Sequence, residues 1–165
     1  MPTPVGVSVD LRSAFRSASS SVWVLTTAHS SVPVGFTAIS VVSVSLDPAL
    51  VSFNISKTSS SLTAFFESRT FAAHLLAHDQ EDVARTFSGP AAQRFAGGAP
   101  WSWGADGLPE LAGVASRLSG PVASFVDAGD SLVVIGRVTS STATEKVPLV
   151  HRDRAYSPAA VPVGA

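Results

Sequence analysis

Short runs of β-branched and aromatic residues, each ended by turn-forming residues, dominate this sequence and limit what it can fold into. The run Val22–Thr27 is typical of a buried strand. Farther along, Val42, Val44 and Leu46 alternate with serines, which is the period of a strand with one buried face. Because these segments are short and often interrupted, they favour a β-barrel over a doubly wound parallel sheet.

The rest of the hydrophobic pattern predicts more strands and a few short helices. Strands are expected at 49–55, 70–77, 114–126, 131–140 and near 149–151. Helical spacing predicts helices at 9–19, 59–68 and 79–87. The Gly-, Pro- and Trp-rich stretch 97–113 is expected to form a long loop, and 157–165 a frayed tail.

Chain length and hydrophobic content together predict one domain that associates with a second copy. The chain has 165 residues, enough for a single domain spanning 1–165 with its core at about 11–156. Hydrophobic residues make up 45% and charged residues 14%, which excludes a disordered chain. No stretch approaches the roughly 18 apolar residues of a membrane-spanning helix. The apolar surplus is therefore expected in a core and a homodimer interface.

Charge and cysteine content exclude several partners and chemistries. With a net charge of -1, the chain is not expected to bind nucleic acid. Because it has no spanning apolar run, no membrane partner is expected either. There is no cysteine, which excludes disulfides, thiolate metal sites and cysteine nucleophiles. The N-terminal residues lack the pattern of a secretory signal, so a cytoplasmic location is expected.

Common catalytic and nucleotide-binding motifs are also missing. The sequence has no GxGxxG, no GxxxxGK[ST] and no GxSxG. His74 and His78 have the spacing of a helical zinc site, but no glutamate lies between them and the segment is predicted as a strand. No metal site is therefore predicted, and these residues are interpreted as loop or interface histidines.

The segment 54–62 concentrates five hydroxyl groups and Lys57 where a strand gives way to a helix. Backbone N–H groups at a helix start, together with a cation and hydroxyls, could hold a phosphate dianion. The alternative is that these serines and threonines are ordinary helix N-caps.

The segment 33–40 has Gly35, Thr37 and Ala38 close together, which would let a flat ligand approach the main chain. The alternative is a glycine bend or bulge within a strand.

A set of motifs shares its order and spacing with one known family. The motifs are Gly35–Ala38, Ser43–Pro48, Leu50–Val51, Lys57–Ser59 with Leu62, Phe71–Ala72, Leu75–Ala77 with Asp79–Gln80, Arg94–Gly97, Ala128–Asp130, Ile135–Val138 and Pro148–Leu149. Together they resemble the flavin reductase-like family, which are NAD(P)H:flavin oxidoreductases that supply reduced flavin to two-component monooxygenases. The resemblance runs from about Phe15 to Tyr156.

The resemblance implies a fold, cofactors and site residues. The implied fold is a mainly β split barrel, of the Greek-key, FMN-binding kind, with a few short helices. It implies a homodimer with FMN or FAD near the subunit interface, NADH or NADPH as the reductant, and a partner monooxygenase. Carried over by position, the residues for the flavin ring, the ribityl chain and the phosphate are Thr37, Ala38 and Ser40, then Asn54, Ile55 and Ser56, then Lys57, Ser59 and Ser61.

This sequence departs from the family pattern near the reductant. Ser131 stands where the family usually has a histidine beside the nicotinamide, the passage before the first strand is shorter, and His74 replaces a common Asn or Ser. His151 and Tyr156 are the other candidates to contact nicotinamide or substrate. These departures leave two alternatives open: a repurposed enzyme acting on a small organic molecule, with or without flavin, or a non-catalytic flavin-binding protein.

Overall fold

The computed structural model describes residues 9–161, and strands dominate them. The helices are α1 (Leu11–Arg16), α2 (Leu62–Ser68) and α3 (Glu81–Ser88), with a 3₁₀ turn at Ala91–Gln93. The strands are β1 (Ser20–Ser21), β2 (Trp23–His29), β3 (Val32–Ala38), β4 (Val42–Leu46), β5 (Ala49–Ser56), β6 (Thr70–Leu75), β7 (Trp101–Trp103), β8 (Pro109–Leu111), β9 (Ser116–Ala128), β10 (Ser131–Arg137), β11 (Ser140–Ala143), β12 (Leu149–Arg152) and β13 (Ala155–Pro158). The expectation of a mainly β protein is confirmed. In this part of the chain, no helix is long and apolar enough to cross a membrane.

One antiparallel sheet carries most of the strands. Its order is β3-β2-β6-β9-β10-β5-β4, and β11 pairs with β9 beside it. Two small sheets accompany it, β1-β12-β13 and β7-β8. The order places β4 at one edge of the large sheet, where β5 is its only partner strand among residues 9–161.

The core consists of two clusters on opposite sides of β2. Leu25 belongs to the cluster built around Phe53, Phe65 and Phe71, which α2 covers. Val24 belongs to the other cluster, which α3 covers. Adjacent strand residues point to opposite faces, so a strand between two clusters has no polar face. This explains why the run at 22–25 is continuously apolar, and the prediction of a buried strand there is confirmed.

Strand β4 has the predicted position but not the predicted burial. Val42, Val44 and Leu46 are 58%, 52% and 90% exposed. The expectation of one shared, buried face is wrong, because the register shifts between Ser43 and Ser45, so that Val42 pairs with Ser52 and Leu46 with Ala49 on opposite faces of the sheet. No element of residues 9–161 covers these three side chains.

Three segments are more ordered or shorter than expected. The predicted loop 97–113 contains the β7–β8 hairpin, where Trp101 packs on Phe95 with ring centroids 5.1 Å apart. The predicted tail begins inside β13, which pairs with β12. Helix α2 starts at Leu62, three residues later than predicted, because the residues before it form a turn.

Candidate functional site

A cavity of about 870 Å³ lies between α1, the β3–β4 connection, β5 and the β12–β13 hairpin. Ser40, Asn54 and His151 line it, and these belong to three different segments singled out in the sequence. Ile39 and Phe15 supply apolar surface to the same cavity. A pocket of this size whose lining includes apolar side chains and neutral polar groups, beside charged residues of α1 and the β12–β13 turn, suits a flat heteroaromatic ligand.

A hydrogen bond joins the proposed ring segment to the proposed ribityl segment. The backbone N–H of Asn54 donates to Ser40 Oγ at 3.1 Å. This contact fixes the β3–β4 connection against β5 at the wall of the cavity. The two segments that were identified separately in the sequence are therefore in contact at the wall of this cavity.

Thr37 and Ala38 lie beside this cavity without lining it. The Thr37 hydroxyl donates to the carbonyl of Ala84 in α3 at 2.7 Å, and Ala38 is 8% exposed within the core. Gly35 lies in a regular part of β3, opposite Thr26, so there is neither bend nor bulge. A Cβ on Gly35 would stand 2.7 Å from Leu25 O and 3.2 Å from the Phe95 ring. The protein's own packing therefore uses the space that glycine leaves.

The hydroxyl-rich residues 56–61, here called the hydroxyl turn, form a connected surface turn. The Ser56 and Thr58 hydroxyls are 3.0 Å apart, and Ser59 Oγ accepts the N–H of Ser61 at 3.2 Å. Lys57 Nζ donates to both oxygens of Asp127, at 3.0 and 2.8 Å. Ile55, just before the turn, is 1% exposed, belongs to the core and pairs with Leu132 of β10.

Ser61 has a partner that sequence reasoning missed. Its side chain is 1% exposed and makes no capping bond to α2; instead, Arg94 Nη1 donates to its Oγ at 3.3 Å. Arg94 also donates to the carbonyls of Gly35 and Gly89, at 2.9 and 3.0 Å. Burial lowers the pKa of the Arg94 guanidinium. Arg94 appeared in the sequence only within a family motif, because nothing local indicates contacts with residues 59 and 33 positions away.

The three nicotinamide candidates lie in two places. His151 lines the cavity and packs edge-on against Tyr156, with ring centroids 5.4 Å apart. Tyr156 is not among the residues that line the cavity, and Arg85 stacks over its ring at 5.2 Å. Ser131 lies opposite Ser56 at the hydroxyl turn and donates to Asp130 Oδ1 at 3.0 Å.

His74 is a core residue, so its interpretation as a loop or interface histidine is wrong. Its Nδ1–H donates to the carbonyl of Val24 at 3.1 Å, and its Nε2 is buried without a partner. Burial lowers the pKa of His74 to about 4. Strand pairing places it opposite Arg117, which is bonded to Asp106. Within residues 9–161, no three His, Asp or Glu side chains are grouped closely enough to hold a metal ion.

Asp106 holds the β7–β8 hairpin to the sheet. Burial alone would raise the pKa of its carboxyl group, but hydrogen bonds from the Leu108 N–H, Arg117 and Ser119 outweigh burial and lower it. Asp106 is therefore charged at neutral pH, and its ion pair with Arg117 of β9 connects the β7–β8 turn to the large sheet.

Comparison with known proteins shows the family and agrees with the fold. The sequence pattern of the family described as "Flavin reductase like domain" matches residues 15–160. The chain belongs to this family. An "NADH:FMN oxidoreductase" from Rhodococcus qingshengii is 40% identical over 152 residues, covering 89% of this chain and 79% of that protein. The reductase component of a trigonelline monooxygenase from Acinetobacter baylyi is 38% identical, covering 89% of this chain and 47% of that protein.

A solved structure extends the likeness to three dimensions. It is the NADH:FAD oxidoreductase of Streptomyces globisporus C-1027, in complex with NAD and FAD fragments. It superimposes with a TM-score of 0.87 at 27% identity and covers 94% of this chain and 93% of its own. The expected family and its split-barrel fold are confirmed.

Proposed function

We propose that this chain is a flavin reductase that transfers hydride from NADH or NADPH to FMN or FAD and supplies reduced flavin to a partner monooxygenase. The expected class, an NAD(P)H-dependent flavin oxidoreductase, is confirmed by the relatives' names. The proposal rests on one observation: strand β5 runs from the cavity directly into the hydroxyl turn. Asn54 lines the cavity, and Lys57 follows three residues later.

The spacing along β5 fits a flavin. Three residues of extended chain span roughly 10 Å, which a five-carbon ribityl chain and its phosphate can cover. The ring end has neutral polar groups from Ser40 and Asn54, together with apolar surface, and suits a flat ring with polar edges. The far end has Lys57 and the hydroxyls of Ser59 and Ser56, which suit a phosphate. The residues present therefore fit FMN or the FMN half of FAD.

Lys57 is paired with Asp127 but remains accessible. The two side chains are 38% and 76% exposed. Exposed ion pairs contribute only about 0–1 kcal/mol, because water screens them. A phosphate dianion can therefore compete with Asp127 for the lysine. Ser61 supports the same site indirectly, since its hydroxyl is held by Arg94 beneath the turn.

The flavin and the nicotinamide, when bound, supply hydride transfer between their rings. The protein's part is to position them and to exclude water. Ser40 and Asn54 orient the flavin ring edge, while Thr37, Ala38 and Ile55 hold β3 and β5 in place behind it through contacts with α3, the core and β10. His151 faces the cavity where a second ring can enter. Tyr156 supports the His151 ring by edge-on packing.

The same proposal includes a homodimer, with residues 1–165 of each copy as one domain. It also includes a cytoplasmic location, where reduced nicotinamide dinucleotides are made. Val42, Val44 and Leu46 are exposed apolar side chains on the edge strand β4, here called the β4 strip, although a register shift between Ser43 and Ser45 puts Val42 and Leu46 on opposite faces of the sheet. Unpaired edge strands and exposed apolar patches are common sites of protein association. Ile39, 48% exposed, lies in the connection that leads from the cavity to this strip, so a partner there would approach the flavin site.

Purified protein mixed with NADH or NADPH tests the proposal. We expect oxidation of the reductant only when FMN or FAD is added. No oxidation with either flavin would overturn the reductase function.

Ser131 favours one alternative, a repurposed enzyme, since it lies at the hydroxyl turn and not in the cavity. That alternative predicts turnover of an organic substrate without a reductant, whereas a flavin carrier predicts tight, stoichiometric flavin and no turnover.

A further inference from the structure

The cavity has a basic side that the proposed flavin contacts do not use. Arg12 and Arg16 of α1 and Arg154 of the β12–β13 turn all line it, and we call these three residues the arginine wall. Asp10 is the single carboxylate in the lining, and its Oδ1 accepts the N–H of Ser13 at the start of α1. The lining therefore has an excess of two positive charges, although the whole chain carries -1.

Helix α1 concentrates like charge in a way that does not help it fold. Arg12 and Arg16 are four residues apart and so share one face of the helix. Like charges at this spacing destabilise a helix, and α1 has only six residues and no buried side chain. Within residues 9–161, neither arginine is paired with a carboxylate. An anion in the cavity would relieve this repulsion.

Arg154 is held in a backbone conformation that arginine rarely adopts. The two-residue turn between β12 and β13 has Asp153 at φ 50 and Arg154 at φ 63, both left-handed. Turns of this kind favour Asn-Gly, and other residues pay a steric cost there. The N–H of Asp153 donates to the carbonyl of Arg16 at 3.0 Å, which brings this turn against the end of α1. The like-charged face of α1 and the left-handed turn at Arg154 are both locally unfavourable, and both border the same cavity.

We propose that the arginine wall binds the diphosphate group of a dinucleotide. Guanidinium groups pair with phosphate oxygens through two parallel hydrogen bonds, and the two charges of a diphosphate match the excess in the lining. The phosphate of the flavin mononucleotide half is assigned to Lys57, at the far end of β5, so the wall serves a second anionic group. NAD(P)H and FAD both carry a diphosphate. The inference rests on the proposed flavin reductase function.

The first experiment measures binding of ADP-ribose, which has the diphosphate but neither nicotinamide nor flavin, by calorimetry. The double variant Arg12→Met/Arg16→Met and the single variant Arg154→Asn should each bind it about tenfold more weakly or worse. Asparagine suits the left-handed turn, so Arg154→Asn should keep the wild-type melting temperature. The matched control is Arg152→Met, since Arg152 is exposed on the same hairpin but outside the cavity lining. Unchanged affinity in the wall variants, or no binding by the wild type, overturns the proposal.

Kinetic measurements identify which dinucleotide supplies the diphosphate. If the wall binds the diphosphate of the reductant, the wall variants raise KM for NADH with FMN as acceptor. N-benzyl dihydronicotinamide, which has no phosphate, then reacts with the variants as it does with the wild type. If the wall binds the diphosphate of FAD, the variants raise KM for FAD and leave KM for FMN and NADH unchanged. A wild type that binds ADP-ribose through the wall but oxidises no reduced nicotinamide supports the wall and overturns the reductase function.

Discussion

Arg94 Nη1 donates to the main-chain oxygen of Gly35 at 2.9 Å and to the Ser61 hydroxyl at 3.3 Å. One guanidinium group thus connects β3, beside the cavity, to the hydroxyl turn that precedes α2. Its Nε also reaches the carbonyl of Gly89 at the end of α3. Two nitrogens of the rigid guanidinium group, Nη1 and Nε, together reach three segments, whereas a lysine would have to donate all three bonds from one nitrogen.

Arg94→Lys is expected to lower both stability and flavin affinity. The variant keeps the charge but loses at least one of three hydrogen bonds, at a cost of about 1–3 kcal/mol in the free energy of unfolding. Denaturant titration measures this change, and FMN titration measures the affinity. Arg85→Lys is the control, because Arg85 makes an exposed pair with Glu81 and a cation–π contact with Tyr156, and a lysine can keep both. Equal losses in both variants would contradict the linking role.

Lys57→Met and Asp127→Asn should change FMN affinity in opposite directions. Removing the cation should weaken FMN binding about tenfold or more, since charged hydrogen bonds to phosphate are lost. Removing Asp127 frees the lysine from its 2.8 Å partner and should strengthen binding several-fold. Riboflavin, which lacks the phosphate, should bind all three proteins alike. A parallel change for riboflavin would show that Lys57 does not contact the phosphate.

His74 should make the protein less stable as the pH falls. Its folded pKa, about 4, is below the ordinary value of 6.5, because burial disfavours the charged ring. Between these values the unfolded chain takes up a proton and the folded chain does not. The contribution of His74 to the free energy of unfolding is therefore fully present above pH 6.5, and it declines by about 3 kcal/mol as the pH falls to about 4.

Denaturant midpoints across this pH range measure the effect. His74→Asn should remove most of the slope, whereas the exposed His78→Asn should retain it. An unchanged slope in His74→Asn would assign the acid sensitivity to other groups.

Val44→Glu should prevent dimer formation. A carboxylate in the exposed strip of β4 would have to be desolvated at an interface between copies, which is costly when it has no partner. Light scattering during gel filtration should give a dimer for the wild type and a monomer for the variant. Val32→Glu places the same charge on a side chain of similar exposure in the β2–β3 hairpin and should remain dimeric. A monomeric wild type, or a dimeric variant, would exclude β4 as the interface.

Most strands were predictable because local sequence encodes them. The buried run at β2 has β-branched residues on both faces, and β5 and β10 show the same preference. The β7–β8 hairpin was missed because each strand has three residues and lies among glycines and prolines. Its position depends on distant contacts, such as the Thr26 hydroxyl donating to the carbonyl of Pro109 at 3.0 Å.

The candidate site was predictable only in part, for a related reason. The hydroxyl turn is contiguous, so its composition is visible in the sequence. Arg16 and Arg154 are far apart along the chain and meet through the Asp153 N–H to Arg16 carbonyl bond, which no local pattern encodes. The burial of His74 was likewise invisible, since a histidine in a strand can face either side.

Helix α1 forms one side of the cavity without burying a single side chain. Substitutions on exposed positions usually alter stability by no more than about 0.5 kcal/mol. Evolution can therefore exchange the residues of this six-residue helix freely while the barrel stays intact. The ligand preference of the cavity and the stability of the fold are thereby open to independent selection.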